Sequence, residues 1–322
     1  MKRFALIGAA GYIAPRHMKA IKETGNILVA ALDRSDNVGV MDSYFRDADF
    51  FLEFERFDRH IDKRRRKGEG VEYISIASPN YLHDAHIRFA LRSQAHAICE
   101  KPLVLNPWNI DALAEIEREC GRRIHNILQL RHHDAIKTLR DKIEAAPADK
   151  KFDVDLTYLT SRGHWYHVSW KGDVQRSGGI ATNIGVHFFD MLSWVFGRQQ
   201  RSIVHVNERD VAAGYLEFER ARVRWFLSID ANHLPEKAKL AGDATYRSIK
   251  INGEELEFSK GFADLHTATY ADILAGRGFG LEDARASIET VFDIRHAEAI
   301  GAKGEYHPFC AALAGAQISE FA

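Results

Sequence analysis

Short apolar runs alternate with amphipathic stretches over the first part of the chain. The runs lie at residues 4–7, 28–32, 73–77, 97–99 and 124–130. The first run, residues 4–7, is continuous, which is typical of a strand buried on both faces of a parallel sheet. The stretches between the runs, such as residues 107–120, have the apolar period of a helix with one buried face. This alternation predicts a parallel sheet with right-handed crossovers.

The pattern changes after Arg131. We expect one helix to about Ala145, followed by strand-like stretches at residues 152–160, 213–218 and 222–230, in which apolar and polar positions alternate. Alternation of this kind is typical of antiparallel strands with one buried face. The fold class predicted is α/β, with a doubly wound parallel sheet in residues 1–125 and an α+β domain in residues 126–322 whose open sheet is mainly antiparallel.

A glycine-rich turn follows the first apolar run. Its sequence is Gly8-Ala9-Ala10-Gly11-Tyr12-Ile13-Ala14. Glycine at the sharp turn lets the backbone approach a pyrophosphate, and the next helix directs its N-terminus at the anion. We therefore predict NAD as the cofactor, held by Gly8, Gly11, Tyr12 and Ile13. The spacing is GxxGxxA and not GxGxxG, so an ordinary strand–helix corner is the alternative.

An acidic residue, Asp33, ends the second run, 19 residues beyond Ala14. A carboxylate at this point accepts hydrogen bonds from the ribose hydroxyls and repels a 2′-phosphate. It therefore favours NAD over NADP, although the adjacent Arg34 weakens that inference. The alternative is a solvated aspartate in a turn.

Lys101 is the first candidate for a catalytic residue. It follows the run that ends at Cys99, and Pro102 marks a turn immediately after it. This places the lysine at a strand end, where α/β sheets bind their ligands and where partial desolvation suits it to proton transfer. The alternative is a solvated surface lysine.

The ends of the neighbouring runs supply further candidates for cofactor contacts. We assign Ser78, Asn80 and His83 from the loop after residues 73–77, together with Glu100 and Gln129. Asn80 and His83 have an equally good alternative as residues that cap the following helix.

A second candidate cluster lies in the later half of the chain. On a helix, Asn183 and His187 are four residues apart and share a face, and Asp190 follows three residues later. A histidine among apolar residues is more often a satisfied core residue. With Asn183 one turn before it, His187 is a candidate general base, and Asn183 then orients the reacting hydroxyl.

These motifs together resemble a known family, the glucose-fructose oxidoreductase/inositol dehydrogenase/rhizopine catabolism family. The resemblance rests on the glycine turn, Ser78-Pro79-Asn80-Tyr81-Leu82-His83, Glu100-Lys101-Pro102 and Gly185-Val186-His187-Phe188-Phe189-Asp190, and it covers essentially the whole chain. It implies a Rossmann domain followed by an open-faced α/β domain for substrate binding and oligomerisation. It also implies that Lys101 and His187 handle protons.

A subgroup of this family implies the reaction more closely. The subgroup oxidises the C3 hydroxyl of UDP-N-acetylglucosaminuronate to a ketone with NAD, for bacterial surface polysaccharide, and 2-oxoglutarate reoxidises the bound NADH. Many relatives carry aspartate where this chain has Asn183, and an amide cannot accept a proton. This difference moves the assignment of the base to His187, or to Lys101 in its neutral form.

Two carboxylate-bearing ligands, the uronate and 2-oxoglutarate, require a guanidinium that can bind them with two hydrogen bonds. Arg16, Arg131 and Arg162 are the candidates, and each has the alternative of an ordinary surface arginine. Trp165 can stack on the uracil or the sugar, or pack at a domain interface.

Composition excludes several function classes. The 44 Lys and Arg against 45 Asp and Glu leave a net charge of −1, so no global field attracts nucleic acid or a membrane. Three cysteines without CxxC spacing favour a reducing cytoplasm, and no metal site is predicted. The N-terminal apolar run is too short for a signal peptide. The resemblance implies a homotetramer. A dehydrogenase of another sugar or inositol and a non-catalytic NAD-binding regulator are the competing functions.

Overall fold

The chain folds into two compact units in the computed structural model, which describes residues 1–258, 264–311 and 313. The first unit contains Met1–His132 and the described residues of Ala263–Arg285. The second contains the described residues of His133–Phe262 and Ala286–Ala322. No feature of the sequence indicated that a later segment returns to the first unit.

The first unit is built on a six-stranded parallel sheet. Its strand order, 3-2-1-4-5-6, is that of a doubly wound dinucleotide-binding sheet, which confirms the predicted fold class. The strands are β1 (Arg3–Ile7), β2 (Ile27–Leu32), β3 (Asp49–Phe51), β4 (Tyr73–Ile76), β5 (His96–Cys99) and β6 (Ile124–Asn126).

The register of this sheet places three candidate residues at one edge. Ile7 of β1 pairs with both Leu32 and Ile76, and Ile76 pairs with Cys99. The residue that follows each of these strand ends therefore stands at the same carboxyl edge. Those residues are Gly8, Asp33, Ala77 and Glu100.

Four helices connect the strands of this sheet: α1 (Ala14–Glu23), α2 (Phe54–Arg66), α3 (His83–Arg92) and α4 (Pro107–Cys120). Helix α2 buries Phe57 and Ile61 and carries basic residues at positions 63–66 in its last turn, where positive charge interacts favourably with the helix dipole.

The second unit contains a six-stranded mixed sheet. The strands are β7 (Phe152–Thr160), β8 (Gln199–Asn207), β9 (Val211–Phe218), β10 (Ala221–Ser228), β11 (Thr245–Ile251) and β12 (Glu254–Glu255). Their order is β12-β11-β7-β10-β9-β8, and the pairing is antiparallel except between β7 and β10. The prediction of a mainly antiparallel sheet is confirmed. The sequence pattern missed β8, β11 and β12.

A π turn and the helix that follows it carry the second candidate cluster onto this sheet. The ring of Phe189 packs edge-on against Trp225 of β10 at a centroid distance of 5.3 Å. The helices of this unit are α5 (Asp134–Ala145), α6 (Trp165–Val168), α7 (Val174–Ser177), α8 (Val186–Phe196) and α9 (Glu236–Leu240). Two further helices, α10 (Leu265–Leu274) and α11 (Leu281–His296), follow β12 in the chain.

Helix α10 belongs to the first unit, where it packs against α1. Tyr270 and Ile273 of α10 join the buried core of the sheet, and the Tyr270 ring lies 6.0 Å from that of Phe4. This helix therefore completes the hydrophobic core around β1, and it brings buried polar side chains to the same place.

No helix in the described ranges has the length and apolar character needed to cross a membrane. The three cysteines are unpaired: Cys99 and Cys310 are buried, and Cys120 is half-buried.

His307 connects the C-terminal segment to the second sheet. Its Nδ1 accepts a hydrogen bond from the Phe309 amide, so the ring is neutral, and its Nε2 lies 3.0 Å from the hydroxyl of Thr157. Burial lowers the pKa of His307 to about 4, although Asp155 opposes this shift. The folded state therefore favours the neutral ring, whereas the unfolded chain protonates near its ordinary pKa.

We expect the stability that His307 contributes to be complete above about pH 6.5 and to be lost as the pH falls toward 4. At pH 5.5 the loss is about 1 kcal/mol, or roughly 2 °C in Tm. Thermal unfolding at pH 7.5 and pH 5.5 measures it. His307→Gln keeps a donor for Thr157 but does not titrate, so it should reduce the pH dependence. An unchanged pH dependence in this variant would contradict the assignment.

Candidate functional site

The glycine turn is held against the loop that follows β4. Gly8 has φ +93°, and a Cβ built on it would lie 2.5 Å from the carbonyl oxygen of Ala77. A Cβ on Gly11 would lie 3.1 Å from the carbonyl oxygen of Gly8. Because these two glycines have no side chain, the turn can lie close to the loop after β4, at the N-terminal end of α1.

The side chain of Asp33 stabilises the glycine turn through a hydrogen bond. Its Oδ2 accepts a hydrogen bond from the Ala10 amide at 2.9 Å, and its Oδ1 accepts one from the Ser35 amide at 2.9 Å. Asp33 is half-buried, and its bond to Ser35 is that of a turn aspartate, but its bond to Ala10 also ties it to the glycine turn. A carboxylate fixed beside the glycine turn is the arrangement that ribose recognition requires.

We expect Gly8→Ala to weaken NAD binding by at least about tenfold, because its methyl group would push the turn away from Ala77. Titration of NAD into the cofactor-free protein measures this change. Gly25→Ala is the matched control, since Gly25 also has a positive φ, +74°, but no atom lies within 4 Å of its added Cβ. Equal losses in the two variants would trace the effect to backbone strain alone.

The loop after β4 is joined to the turn after β5 by His83. Its Nε2 lies 2.9 Å from the Ser78 carbonyl, and its Nδ1 lies 2.7 Å from the Pro102 carbonyl. Burial lowers the pKa of His83, although both carbonyls oppose this shift. The N-cap of α3 is Leu82, and both ring nitrogens of His83 face carbonyls, so His83 does not cap this helix.

Glu100 is the centre of a buried polar cluster in the first unit. Its Oε1 accepts hydrogen bonds from His17 Nε2 at 3.1 Å and from His266 Nε2 at 2.8 Å. His17 Nδ1 lies 2.7 Å from the hydroxyl of Tyr270, which in turn lies 2.6 Å from Ser75 Oγ. Burial alone would raise the pKa of Glu100, but the two histidine hydrogen bonds outweigh it and hold the pKa well below 4.5.

Sequence reasoning missed this cluster. His17 lies on α1, just after the glycine turn, but His266 follows it by 249 positions and no local pattern connects the two. Among the described residues, His17, Glu100 and His266 are also the group whose ligand atoms, all within 4.8 Å of one another, can hold a metal ion. The nitrogen–oxygen separations are those of hydrogen bonds.

Lys101 follows this carboxylate directly. The Lys101 amide donates to Glu100 Oε2 at 3.2 Å, the Lys101–Pro102 peptide is cis, and the lysine is half-buried. The side-chain amide of Asn126 donates to the carbonyls of Cys99 and Glu100 at 2.9 and 3.3 Å. Contacts on both sides of Lys101 therefore fix the backbone that carries it. Gln129 is half-buried in a 3₁₀ turn beyond β6.

The second candidate cluster begins in a π turn. Asn183 lies in the π turn Ala181–Gly185, and His187 lies in the first turn of α8. A Cβ on Gly185 would lie 2.5 Å from Leu227 Cδ1, so this glycine lets the turn rest on β10. The interpretation of one continuous α-helix is wrong here, because a π turn bonds i to i+5 and so changes the angular offset between the two residues.

The side chains of this cluster are partly accessible. Asn183 and His187 are half-buried, and Asp190 is buried. The Asn183 amide donates to the hydroxyl of Tyr166 at 2.6 Å, which fixes its orientation. The His187 ring lies edge-on to Tyr158 at a centroid distance of 6.2 Å.

The candidate arginines have different surroundings. Arg131 is buried, and its guanidinium bonds the carboxylate of Asp283 at 3.1 Å and its carbonyl at 2.7 Å, so a ligand carboxylate would have to compete with Asp283. Arg16 is half-buried and Arg162 is exposed. Trp165 is 52% exposed, and the ammonium of Lys171 lies 5.8 Å from its ring.

Solved structures resemble this chain over almost its whole length. The WlbA (WbpB) dehydrogenase of Thermus thermophilus, in complex with NAD and alpha-ketoglutarate, is 52% identical, with a TM-score of 0.93, over 96% of this chain and 100% of that chain. The same dehydrogenase in complex with NAD and UDP-GlcNAcA gives 52% identity over the same shares and a TM-score of 0.92.

A curated relative is more distant. The glucose-6-phosphate 3-dehydrogenase of Bacillus subtilis is 23% identical over 205 residues, which are 61% of this chain and 54% of the relative. The chain therefore spans about half the length of that relative.

Family models match both halves of the chain. Residues 2–127 match the NAD-binding Rossmann domain of an oxidoreductase family, and residues 150–255 match the C-terminal alpha/beta domain of the same family. The chain belongs to the Gfo/Idh/MocA oxidoreductase family, as its motifs and both of its sheets indicate.

Proposed function

We propose that this protein oxidises the C3 hydroxyl of UDP-N-acetylglucosaminuronate to a ketone and uses 2-oxoglutarate as the final electron acceptor. The 52% identity to a dehydrogenase solved with NAD and each of these ligands carries the proposal. The sugar loses two electrons and two protons, and 2-oxoglutarate gains them to become 2-hydroxyglutarate. The 3-keto product serves bacterial surface-polysaccharide synthesis.

The residues of the glycine turn fit NAD. Gly8 and Gly11 keep side chains away from the pyrophosphate, and the amides of Tyr12 and Ile13 precede the N-terminus of α1, where anions bind. Asp33 meets the adenosine ribose, and Ser78, Asn80, His83, Glu100 and Gln129 complete the cofactor contacts. NAD, when bound, supplies the hydride acceptor.

Lys101 and His187 handle the proton of the reacting hydroxyl in this proposal. One of the two removes the proton as the ketone forms. Asn183, oriented by Tyr166, donates to a substrate oxygen because an amide cannot serve as the base. Orientation by these groups, rather than redox chemistry of their own, is the contribution of the protein.

The uronate and the keto acid need a cationic partner. We assign Arg16 and Arg162 to the binding of the ligand carboxylates. Arg131 could bind a ligand carboxylate only if its ion pair with Asp283 broke. Trp165 is exposed enough to stack on a flat ring such as uracil.

The test follows the near-ultraviolet band of reduced nicotinamide in the protein as purified. Addition of 2-oxoglutarate should remove the band, and subsequent UDP-N-acetylglucosaminuronate should restore it. UDP-N-acetylglucosamine, glucose 6-phosphate and inositol are the comparison substrates. A response to one of these in place of the uronate would identify a different sugar dehydrogenase, and bound nucleotide without any response would identify a regulator.

We expect Asp33→Asn to reduce the preference for NAD over NADP by about tenfold, because the variant loses the charge that repels a 2′-phosphate. Competitive binding of the two nucleotides to cofactor-free protein measures the preference. Asp36→Asn removes the same charge from an exposed position nearby and is the control. An unchanged preference in Asp33→Asn would remove this carboxylate from cofactor discrimination.

We further propose that residues 126–322 bind the substrate and assemble the protein as a homotetramer. Ion pairs join β7 and β10 on one face of the second sheet, Arg222 to Asp153 at 3.3 Å and Arg224 to Asp155 at 2.6 Å. Because these charges neutralise one another within the sheet, the face does not repel the same face of a second copy. Light scattering of the purified protein measures the oligomeric state.

A further inference from the structure

The buried cluster of His17, Glu100 and His266 lies next to the turn that carries Lys101, because Glu100 directly precedes Lys101 in the chain. Glu100 is 7% exposed, and His17 and His266 are 0% and 2% exposed. A carboxylate in such surroundings is costly unless hydrogen bonds compensate for the lost water. Each histidine supplies one charge-assisted hydrogen bond to the same oxygen, Oε1.

The tautomer of His17 follows from its neighbours. Because its Nε2 carries the proton that Glu100 accepts, its Nδ1 accepts the proton of the Tyr270 hydroxyl, and Ser75 donates to Tyr270. Burial lowers the pKa of His17, which favours the neutral ring that this chain of hydrogen bonds requires. Each hydrogen bond in this chain, from Ser75 through Tyr270 and His17, is therefore donated toward Glu100.

The cluster reaches Lys101 through the other carboxylate oxygen. Glu100 Oε2 accepts the Lys101 amide at 3.2 Å, so the two oxygens of one carboxylate bond the histidines and the lysine backbone respectively. We infer that His17 and His266 are positioning residues that hold Glu100 as an anion and thereby fix the backbone of Lys101 for the reaction. This inference rests on the proposed function, in which Lys101 handles the hydroxyl proton.

Burial raises the pKa of Glu100 and the two histidine hydrogen bonds lower it, so removal of one histidine weakens the lowering effect. The pKa of the Glu100 carboxyl then rises, and a protonated carboxyl loses part of its hold on the Lys101 amide. The titratable groups that face Glu100 within the described ranges are His17 on α1, His83 on α3, His266 and Tyr270 on α10, and its chain neighbours Cys99 and Lys101.

The experiment compares His266→Leu, which removes the donor, with His266→Gln, whose amide nitrogen can replace Nε2. Thr269→Val is the control on the same helix, because the Thr269 hydroxyl is buried and bonds the Leu265 carbonyl of α10. Turnover with UDP-N-acetylglucosaminuronate and 2-oxoglutarate is measured against pH for each variant and for the wild type.

In His266→Leu we expect protonation of Glu100 to begin at a higher pH than in the wild type, which adds a loss of kcat on the acidic side of the pH–rate profile. Where Glu100 is protonated we expect kcat to fall by about tenfold with little change in KM for the sugar nucleotide. His266→Gln should recover most of the rate, and Thr269→Val should resemble the wild type. Profiles of wild-type shape in His266→Leu, or equal shifts in Thr269→Val, would overturn the inference.

A second measurement is independent of the reaction. Infrared spectra of protein labelled with ¹³C-glutamate, recorded as the pH is lowered, should show a protonated-carboxyl band that appears at a higher pH in His266→Leu than in the wild type and is lost in His266→Leu/Glu100→Gln. Absence of that band overturns the inference even if the sugar nucleotide is not the substrate. Stoichiometric metal in the wild type, lost in His266→Leu, would overturn it in favour of a metal site.

Discussion

Lys101→Met is expected to lower kcat by about two to four orders of magnitude while the protein retains NAD. Methionine is similar in length but carries no proton and no charge, so the variant removes proton handling and leaves the backbone bonds of the turn in place. Steady-state turnover with the sugar nucleotide and 2-oxoglutarate measures the loss. The nicotinamide content of the purified variant measures cofactor retention.

The control for this variant is Lys22→Met, which removes an exposed lysine of α1 that bonds the Ser43 carbonyl. It should retain normal turnover. Near-normal turnover in Lys101→Met would remove this residue from the mechanism. Loss of NAD from Lys101→Met, with the rate recovered when NAD is added in excess, would instead assign Lys101 to cofactor binding.

The nucleotide edge of the first sheet was predictable because every part of its signal is local. Each strand is a short apolar run, and parallel strands in register bring the residues after them to one edge. Gly8, Asp33 and Glu100 follow three such runs and therefore stand together in the structure. The number of residues from the glycine turn to Asp33 then identified Asp33 as the candidate ribose-binding carboxylate.

Contacts over long chain separations were not predictable from one sequence. Tyr270 and His266 reach His17 and Glu100 from 253 and 166 residues away. The bond between Arg131 and Asp283 also joins residues far apart in the chain. Because Asp283 occupies the guanidinium, Arg131 is a weaker candidate for binding a ligand carboxylate. Periodicity describes one element at a time, so it does not show which distant helix completes a core.

Local patterns also failed where backbone geometry departs from the regular elements. The spacing of Asn183 and His187 predicts a shared helix face, but an α-helix and a π turn followed by an α-helix give the same polar spacing in sequence. Strand β8 was missed because its first half, Gln199 to Ser202, is polar and at least partly exposed. Apolar alternation then appears only near its end.

His187→Asn is the second variant for which we expect a loss of about two to four orders of magnitude in kcat. Asparagine fills part of the same space beside Tyr158 but does not titrate, so the variant cannot accept the hydroxyl proton. If His187 is the base, the acidic limb of the pH–rate profile is lost with it, since histidine ordinarily titrates between pH 5 and 8. NAD content should be unchanged.

His233→Asn is the control, because His233 is another half-buried histidine of the second unit and bonds Ser228 Oγ at 2.8 Å. Added imidazole should restore part of the rate in His187→Asn and leave Lys101→Met unchanged, since only the first variant lacks an imidazole that accepts a proton. Recovery in neither variant, with the acidic limb intact in His187→Asn, would transfer the role of base to Lys101.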